Sequence, residues 1–487
     1  MTGTAAADEA FGSLPEPLVL PDARTRIRES HAATGRRIAV LDDDPTGSQT
    51  VHGVSVVTVL EEEEYAAGLT DPGSTCFILT NTRSLPEPAA VASNLDIGRA
   101  VYELAQRLSA PIDVVSRGDS TLRGHVLAEV DALGKVRREV TGQPHDGVLL
   151  VPAYIEAGRI TAGDIHWARV QGELVPVGET EFARDATFGY ASSDLRDFVV
   201  EKSGGAVARD AVLSISLEDI RLGGPARVSE ILAGARAGAY VVVNAIDYPD
   251  LEIVVLGLLE AEEAGQVFLH RSGPSFVRAL AGIEPRAPLT SADIPRAGGT
   301  GGHGLVVVGS HVGLTSRQLE VAQTRCGLVE VQLDVPSLLD SARREDHLHA
   351  VSRQVVEELA GHDVLLYTSR RLSTGADAHA SLDIARVVSA SVVAVVAAAR
   401  SARLTWVVAK GGITSHDVAV HGLGIRRAIV EGQVLPGLVS VLRPVDAPPE
   451  VVGVPYVVFA GNVGDETTLA HVIELFRGVS QTEEEAP

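Results

Sequence analysis

The sequence predicts an α/β protein of two domains, each with a mainly parallel sheet flanked by helices. Its 487 residues exceed what one hydrophobic core organises. Short Val/Ile/Leu runs alternate with helical patterns through both halves, as in strand–helix–strand units. Aromatic residues make up only 4% of a chain that is 45% hydrophobic. Val, Ala, Leu and Gly must therefore build the interior, which suits parallel sheets covered on both faces.

Taken in chain order, residues 1–35 read as a loosely ordered arm without an apolar signal core. Residues 36–284 form the first domain. Its strands are expected at Arg37–Leu41, Thr75–Thr80, Ile112–Val115, Gly147–Val151, Tyr240–Asn244 and Gln266–His270, with helices at Ala89–Leu108 and Leu251–Ala264. Residues 285–303 hold three prolines and the run Gly298-Gly299-Thr300-Gly301-Gly302, a linker composition. That glycine run precedes a strand rather than opening a helix after one, so it is not read as a phosphate loop. Residues 304–478 form the second domain, with strands at Leu305–Val308, Val364–Tyr367, Leu404–Ala409 and Tyr456–Ala460 and helices at Leu314–Thr324 and Leu382–Ala402. Residues 479–487 are an acidic tail.

Forty-one basic residues against 64 acidic ones give a net charge of −23. Such a balance opposes general binding to nucleic acid or anionic membranes. Any site for an anion must then be a local positive island. Cys76 and Cys326 are the two cysteines; they support no zinc or disulfide framework and fit a reducing compartment. No run approaches the ~20 apolar residues of a membrane span. The expectation is a cytoplasmic enzyme with small-molecule partners, with room for a homo-oligomer.

The first expected strand runs into Asp42-Asp43-Asp44-Pro45-Thr46-Gly47. Open α/β sheets bind ligands at the carboxyl ends of their strands. A carboxylate there can accept a proton from an attacking hydroxyl or bind Mg²⁺. An Asx-turn with a helix cap is the plainer use of such residues, but three in a row favour a functional one. After the strand Ile112–Val115 comes Ser116-Arg117-Gly118-Asp119-Ser120-Thr121-Leu122-Arg123-Gly124. With Ser120 as N-cap, Arg123 falls in a first helical turn, against the helix dipole. Arg117, Arg123 and the helix start then suit a carboxylate or phosphate. The competing reading is a salt bridge from Arg123 to Asp119 or Glu129. Asn81 and Arg83, closing the strand Thr75–Thr80, offer polar groups to the same rim.

Three strand–glycine–helix junctions mark the second domain: Val308-Gly309-Ser310, Lys410-Gly411-Gly412-Ile413-Thr414 and Ala460-Gly461-Asn462-Val463-Gly464. Each presents backbone N–H groups to which a phosphate can approach closely. No Walker A, GxGxxG or protein-kinase signature is present. Lys410 either reaches a phosphate or is solvated at a strand end.

With these motifs in order, the sequence resembles the four-carbon acid sugar kinases from about Arg37 to Leu475. The family's aspartate-aspartate-x-threonine-glycine motif matches Asp43 to Gly47, and its aspartate-serine-threonine-leucine-arginine-glycine motif matches Asp119 to Gly124. Glu156-Ala157-Gly158-Arg159, Thr180-Glu181-Phe182-Ala183, Pro436-Gly437 and Gly411 to Ser415 match further motifs. The chain is longer than the smaller members, with an extra stretch around Phe188–Leu222.

The resemblance implies an acid-sugar-binding first domain and an ATP-binding second one. ATP, with Mg²⁺, would meet Ser310, Gly411, Gly412, Ile413, Thr414, Gly461, Asn462 and Gly464. The acid sugar would meet Asn81, Arg83, Arg117, Asp119, Ser120, Arg123 and Gly124. Asp43 or Asp44 would take the hydroxyl proton, and the motif does not choose between them. The rival readings are a non-catalytic sugar-acid binding protein and a dinucleotide-dependent oxidoreductase. The second of these lacks an acidic ribose-binding residue in place.

Overall fold

The computed structural model describes residues 11–12, 14–44, 47–48, 50–295, 302–370, 378–435 and 439–478. Pro45, Thr46, Pro436, Gly437, Gly298 to Gly301 and the acidic tail lie outside the described residues. The chain divides into two compact units, residues 1–285 and 286–487.

In the first unit, α1 (Ala23–Thr34) leads into β1 (Arg37–Asp42), β2 (Ser55–Val57), α2 (Glu62–Gly68), β3 (Thr75–Leu79), α3 (Glu87–Leu108), β4 (Ile112–Arg117), α4 (Val126–Thr141) and β5 (Gly147–Val151). An antiparallel meander follows, of β6 (Arg159–Ala162), β7 (Ile165–Val170) and β8 (Glu173–Pro176). The unit is completed by α5 (Leu195–Lys202), β9 (Leu213–Ile215), α6 (Leu217–Arg221), α7 (Gly224–Leu232), β10 (Ala239–Val243), α8 (Tyr248–Glu263), β11 (Phe268–Ser272) and α9 (Pro274–Leu280).

Strands β2-β3-β1-β4-β11-β5-β10-β9, in that spatial order, pair in parallel throughout. Every residue of β1, β3, β4, β5 and β11 is buried, because helices cover both faces and leave no solvent side to alternate with. All carboxyl ends of these strands therefore share one edge.

Helix α1 corrects the loose arm expected for residues 1–35. Ala23, Ile27 and His31 recur every four residues, so one stripe of the helix is apolar or buried. Arg24 pairs with Glu252 at 2.7 Å and Glu284 at 2.9 Å, Arg28 pairs with Glu284 at 2.9 Å, and His31 bonds the Leu280 carbonyl at 2.7 Å.

The second unit comprises β12 (His303–Val308), α10 (Gly313–Arg325), β13 (Val329–Leu333), α11 (Val335–Leu339), α12 (Arg344–Glu358), β14 (Val364–Thr368), α13 (Ala378–Ala399), β15 (Leu404–Lys410), α14 (Gly412–Asp417), β16 (Arg427–Leu435), β17 (Val439–Asp446), β18 (Tyr456–Phe459) and α15 (Thr468–Arg477). Its strand order is β13-β14-β12-β15-β18-β17-β16. The run from β13 to β18 is parallel, while β17 is antiparallel to both of its neighbours. Along β16 buried and half-buried residues alternate strictly, the period of a strand with one wetter face.

The expected linker is also corrected at its start. Leu289 and Ile294 are buried in this unit's core, and the Leu289 N–H donates to the Gln433 carbonyl at 2.7 Å.

Candidate functional site

At the carboxyl edge of the first unit, β1 delivers three carboxylates with different fates. Asp42 is fully buried, and its Oδ1 accepts from Arg117 Nη1 at 2.8 Å and from the Asp44 N–H at 3.1 Å. Burial pushes Asp42 up to about 7 against the pull of Arg117. Asp43 is also buried. Its Oδ1 accepts from Arg83 Nη2 at 2.5 Å, while Oδ2 has no hydrogen-bond partner and lies 3.7 Å from Arg271 Nη2. Burial raises this carboxyl above its ordinary value although Arg83 and Arg271 oppose the shift. Asp44 is the most exposed of the three, and its Oδ2 accepts from Arg83 Nη1 at 3.0 Å.

Arg83 thus clamps both candidate bases. It rises from the short turn Thr82–Ser84 that follows Asn81, whose backbone is left-handed at φ 51°. Arg117 does not stand free at the rim; it is buried against Asp42 and supports that side chain.

The segment after β4 differs from expectation. Ser120 caps no helix and Arg123 is in no first turn, because α4 begins only at Val126 with His125 at its cap. Leu122 and Gly124 take positive φ, 66° and 116°, which a right-handed helix cannot contain. Two carbonyls of this turn are held from outside. His166 Nε2 donates to the Ser120 carbonyl at 2.8 Å, and the Tyr190 hydroxyl donates to the Thr121 carbonyl at 2.7 Å. Burial lowers His166 to about 4, so it stays neutral for this task.

Arg123 Nε donates to Asp119 Oδ2 at 2.7 Å, the salt bridge set against the anion-site reading above, and its guanidinium lies 5.3 Å from the Phe182 ring centre. Burial pushes Asp119 up, but Arg83 and Arg123 outweigh it and hold the carboxyl at about 2.

Sequence reasoning passed over Arg271 and gave Glu129 and Arg159 no place in the site. Arg271, at the end of β11, donates through Nη1 to Glu129 Oε2 at 2.6 Å and Ser116 Oγ at 2.7 Å. A Cβ on Gly118 would sit 2.0 Å from Arg271 Nη2, and one on Gly124 would sit 3.0 Å from Asp43 Oδ2 and 3.3 Å from Arg271 Nη2. Those two glycines leave room for the Asp43–Arg271 pair. Glu129 in turn accepts from Thr82 Oγ1 at 2.6 Å. Arg159 shares the Phe182 ring with Arg123, its guanidinium 5.8 Å from the centroid, and has no carboxylate partner among the described residues. The strand-end logic that found Arg117 would also have found Arg271, one residue past the expected strand.

In the second unit β12, β15 and β18 are adjacent, so the three glycine junctions meet at one edge. Their backbones pack tightly. A Cβ on Gly309 would lie 2.4 Å from Thr414 Oγ1, one on Gly411 (φ 123°) 3.0 Å from the same atom, and one on Gly461 2.8 Å from Ser310 Oγ. The carbonyls of the last loop are tied down: Thr315 donates to Gly461 at 2.7 Å, and Gln318 donates to Val463 at 3.0 Å and to Asp465 at 2.6 Å.

Lys410 is neither solvated nor turned outward. It is fully buried, donates to the Ala460 carbonyl at 2.7 Å, and lies 3.6 Å from the Phe459 ring centre, with burial lowering it to about 7. Arg370, unremarked in the sequence, donates to the Ser310 carbonyl at 2.8 Å and Ser316 Oγ at 2.6 Å. Gly412 faces open space, and Ile413 and Asn462 are exposed beside it.

Comparison with known proteins matches residues 38–280 to a sugar-binding N-terminal domain and residues 305–469 to a nucleotide-binding C-terminal domain. A D-erythronate kinase of Heliobacterium modesticaldum is 26% identical over 335 residues, 67% of this chain and 70% of that one. The chain belongs to the four-carbon acid sugar kinase family. Two solved structures share the family's fold. A Salmonella typhimurium LT2 protein, described as a candidate tRNA synthase, aligns at TM-score 0.65 and 20% identity over 90% of this chain and 98% of that one. A Haemophilus influenzae protein aligns at TM-score 0.62 and 18% identity over 90% and 100% of the two chains. Among the described residues no helix is long and apolar enough to cross a membrane.

Proposed function

We propose that this family member is an ATP-dependent kinase that phosphorylates a hydroxyl of a short acid sugar, a four-carbon aldonate or a close relative. The observation that carries this reading is Asp43, buried at the carboxyl edge with Oδ1 fixed by Arg83 and Oδ2 free of hydrogen bonds. A carboxylate held so, with its affinity for protons raised, suits the acceptance of a hydroxyl proton. Asp44, on the same arginine, is the alternative base. The substrate carboxylate is assigned to Arg123 and Arg159, which share the Phe182 ring, together with Asn81, Asp119, Ser120 and Gly124.

The glycine junctions suit a nucleotide: glycine at 309, 411 and 461 lets the three loops pack against one another, and Gly412 beside them faces open space that a phosphate can enter. Ser310, Gly411 to Thr414, Gly461, Asn462 and Gly464 are assigned to its phosphates. When bound, ATP supplies the phosphoryl group and Mg²⁺ offsets its charge. Mg²⁺ would enter with the nucleotide. Lys410, Gln318, Thr315 and Arg370 hold the loop carbonyls in place and act as positioning residues.

The test is a coupled ADP-release assay on the full chain with Mg²⁺, ATP and a panel of four- to six-carbon aldonates. At least one acid should drive ADP release that its uncharged polyol does not. Silence across the panel, or equal rates with polyols, rejects the reading.

Gly412→Val tests the cradle separately. A Cβ there meets no protein atom within 4 Å, so the added side chain should leave the fold intact and obstruct only a ligand. ATP should bind about tenfold more weakly or worse, the equivalent of losing one charge-assisted hydrogen bond. An unchanged ATP titration with unchanged thermal unfolding removes Gly412 from the site.

A further inference from the structure

Glu129 lies in the first turn of α4, on the stripe that buries Val126, Val130 and Leu133. A carboxylate there suits the helix dipole, but it leaves water at a high cost unless it is paired. Both of its oxygens are paired. Oε2 accepts from Arg271 Nη1 at 2.6 Å and from Ser116 Oγ at 3.3 Å, and Oε1 accepts from Thr82 Oγ1 at 2.6 Å. With both oxygens accepting, neither carries a proton, and Glu129 is a buried negative charge.

This pairing bears on Asp43 from two sides. Arg271 turns Nη1 to Glu129 and leaves Nη2 3.7 Å from Asp43 Oδ2, beyond hydrogen-bond reach. Thr82 directly precedes Arg83, the cation that bonds Asp43 Oδ1 at 2.5 Å. One acid thus holds the supports of both arginines.

Asp119 is the contrast. It is buried beside Arg83 as Asp43 is, and its second arginine, Arg123, bonds it at 2.7 Å. Burial pushes Asp119 up, yet Arg83, Arg123 and the Thr121 hydroxyl hold it at about 2. Asp43 also faces two arginines, but its carboxyl is raised. Burial is the largest influence, Arg83 and Arg271 oppose it, and Glu129 adds to it. The other charges around Asp43 are Asp42 and Asp44 on its own strand end and Arg117 on β4.

We propose that Glu129 is a positioning residue for the phosphoryl transfer: it draws Arg271 to itself and steadies the Arg83 turn, so that Asp43 stays open to the substrate hydroxyl. The inference rests on Asp43 as the proton acceptor. Without the charge of Glu129, Arg271 closes on Asp43 as Arg123 closes on Asp119. The carboxylate is then bridged by two guanidinium groups and holds a proton less well.

The experiment measures kcat–pH profiles of the full chain with ATP, Mg²⁺ and the most active aldonate, with folding checked by thermal unfolding. Glu129→Gln keeps the shape and removes the charge. It should lower kcat about tenfold and move the acid limb about one pH unit lower or more, with both Michaelis constants within about twofold of wild type. In an Arg271→Met background the same substitution should move the limb less than half as far, because the group through which Glu129 acts is gone. Glu129→Asp retains the charge but withdraws it, so its limb should fall between the two, and it carries the test should Glu129→Gln not fold. A limb that stays in place or moves upward in the folded variant, whatever kcat does, makes Glu129 a structural partner and overturns the proposal. So does an undiminished shift in the Arg271→Met background. Asp43→Asn separates this failure from a deeper one. If that variant keeps normal kcat, the proton-acceptor reading falls and takes this inference with it. If it is inactive while Glu129→Gln behaves as wild type, only this inference falls.

Discussion

Asp43→Asn should lower turnover by about 10²-fold or more while ATP and the acid sugar still bind. The amide keeps the shape of the carboxylate but cannot hold the hydroxyl proton. Its neighbours make the loss specific: Arg83 and Arg271 remain, so the local positive charge that attracts an acid grows rather than shrinks. Burial raises the Asp43 carboxyl above its ordinary range, and the base works only when ionised. As pH falls through that raised value the carboxylate takes up its proton and activity is lost. The acid limb of the kcat–pH profile should therefore stand higher than an exposed aspartate would place it, and Asp43→Asn should abolish that limb. Asp44→Asn belongs in the same series because Arg83 holds both residues. Near-normal kcat in both variants would make the aspartates structural.

Arg123→Ala should erase the preference for an acid sugar over its uncharged polyol. In a protein of net charge −23, long-range electrostatics repel an acid, so nearby cations must supply the attraction. Arg123 is half-exposed; Asp119 takes its Nε at 2.7 Å, and Asp185 stands 4.0 Å from Nη1. Losing a charged hydrogen-bonding partner costs roughly 1.5–3 kcal/mol, or about 10- to 150-fold in binding. Arg123→Lys should raise the Michaelis constant for the acid and leave that for ATP nearly unchanged, because an ammonium cannot form a planar fork. Arg159→Ala should behave like Arg123→Ala if the two flank one carboxylate. The deciding measurement is the acid-to-polyol ratio of kcat/KM. A constant ratio in folded Arg123→Ala leaves the residue as a partner of Asp119 alone.

What was legible in the sequence was whatever local pattern controls. Continuous apolar runs located the parallel strands, and their ends located Asp43, Asp44 and the glycine junctions. The meander from Arg159 to Pro176 was not foreseen, since its short strands mix buried, half-buried and exposed residues with no clean alternation. The turn at Ser120 to Gly124 was misread as a helix because its carbonyls are bound by His166 and Tyr190, some 46 and 69 positions away. Arg117 was expected at the rim because the depth of its burial depends on Asp42 across the sheet. Arg271 was overlooked for the same reason: its partners Asp43, Ser116 and Glu129 come from distant segments. Local preference set the elements, and non-local contacts set which charges remain available.

The docking of α1 also bears on how the chain is made. This 12-residue helix is too short to persist alone in water, and its polar anchors are Glu252, Leu280 and Glu284. A ribosome adding about 5–20 residues per second needs roughly 12–50 s to travel from Thr34 to Glu284. For that interval α1 lacks these anchors. The first unit cannot close around α1 until nearly all of that unit has emerged, so a helix made early in it is among the last to lock.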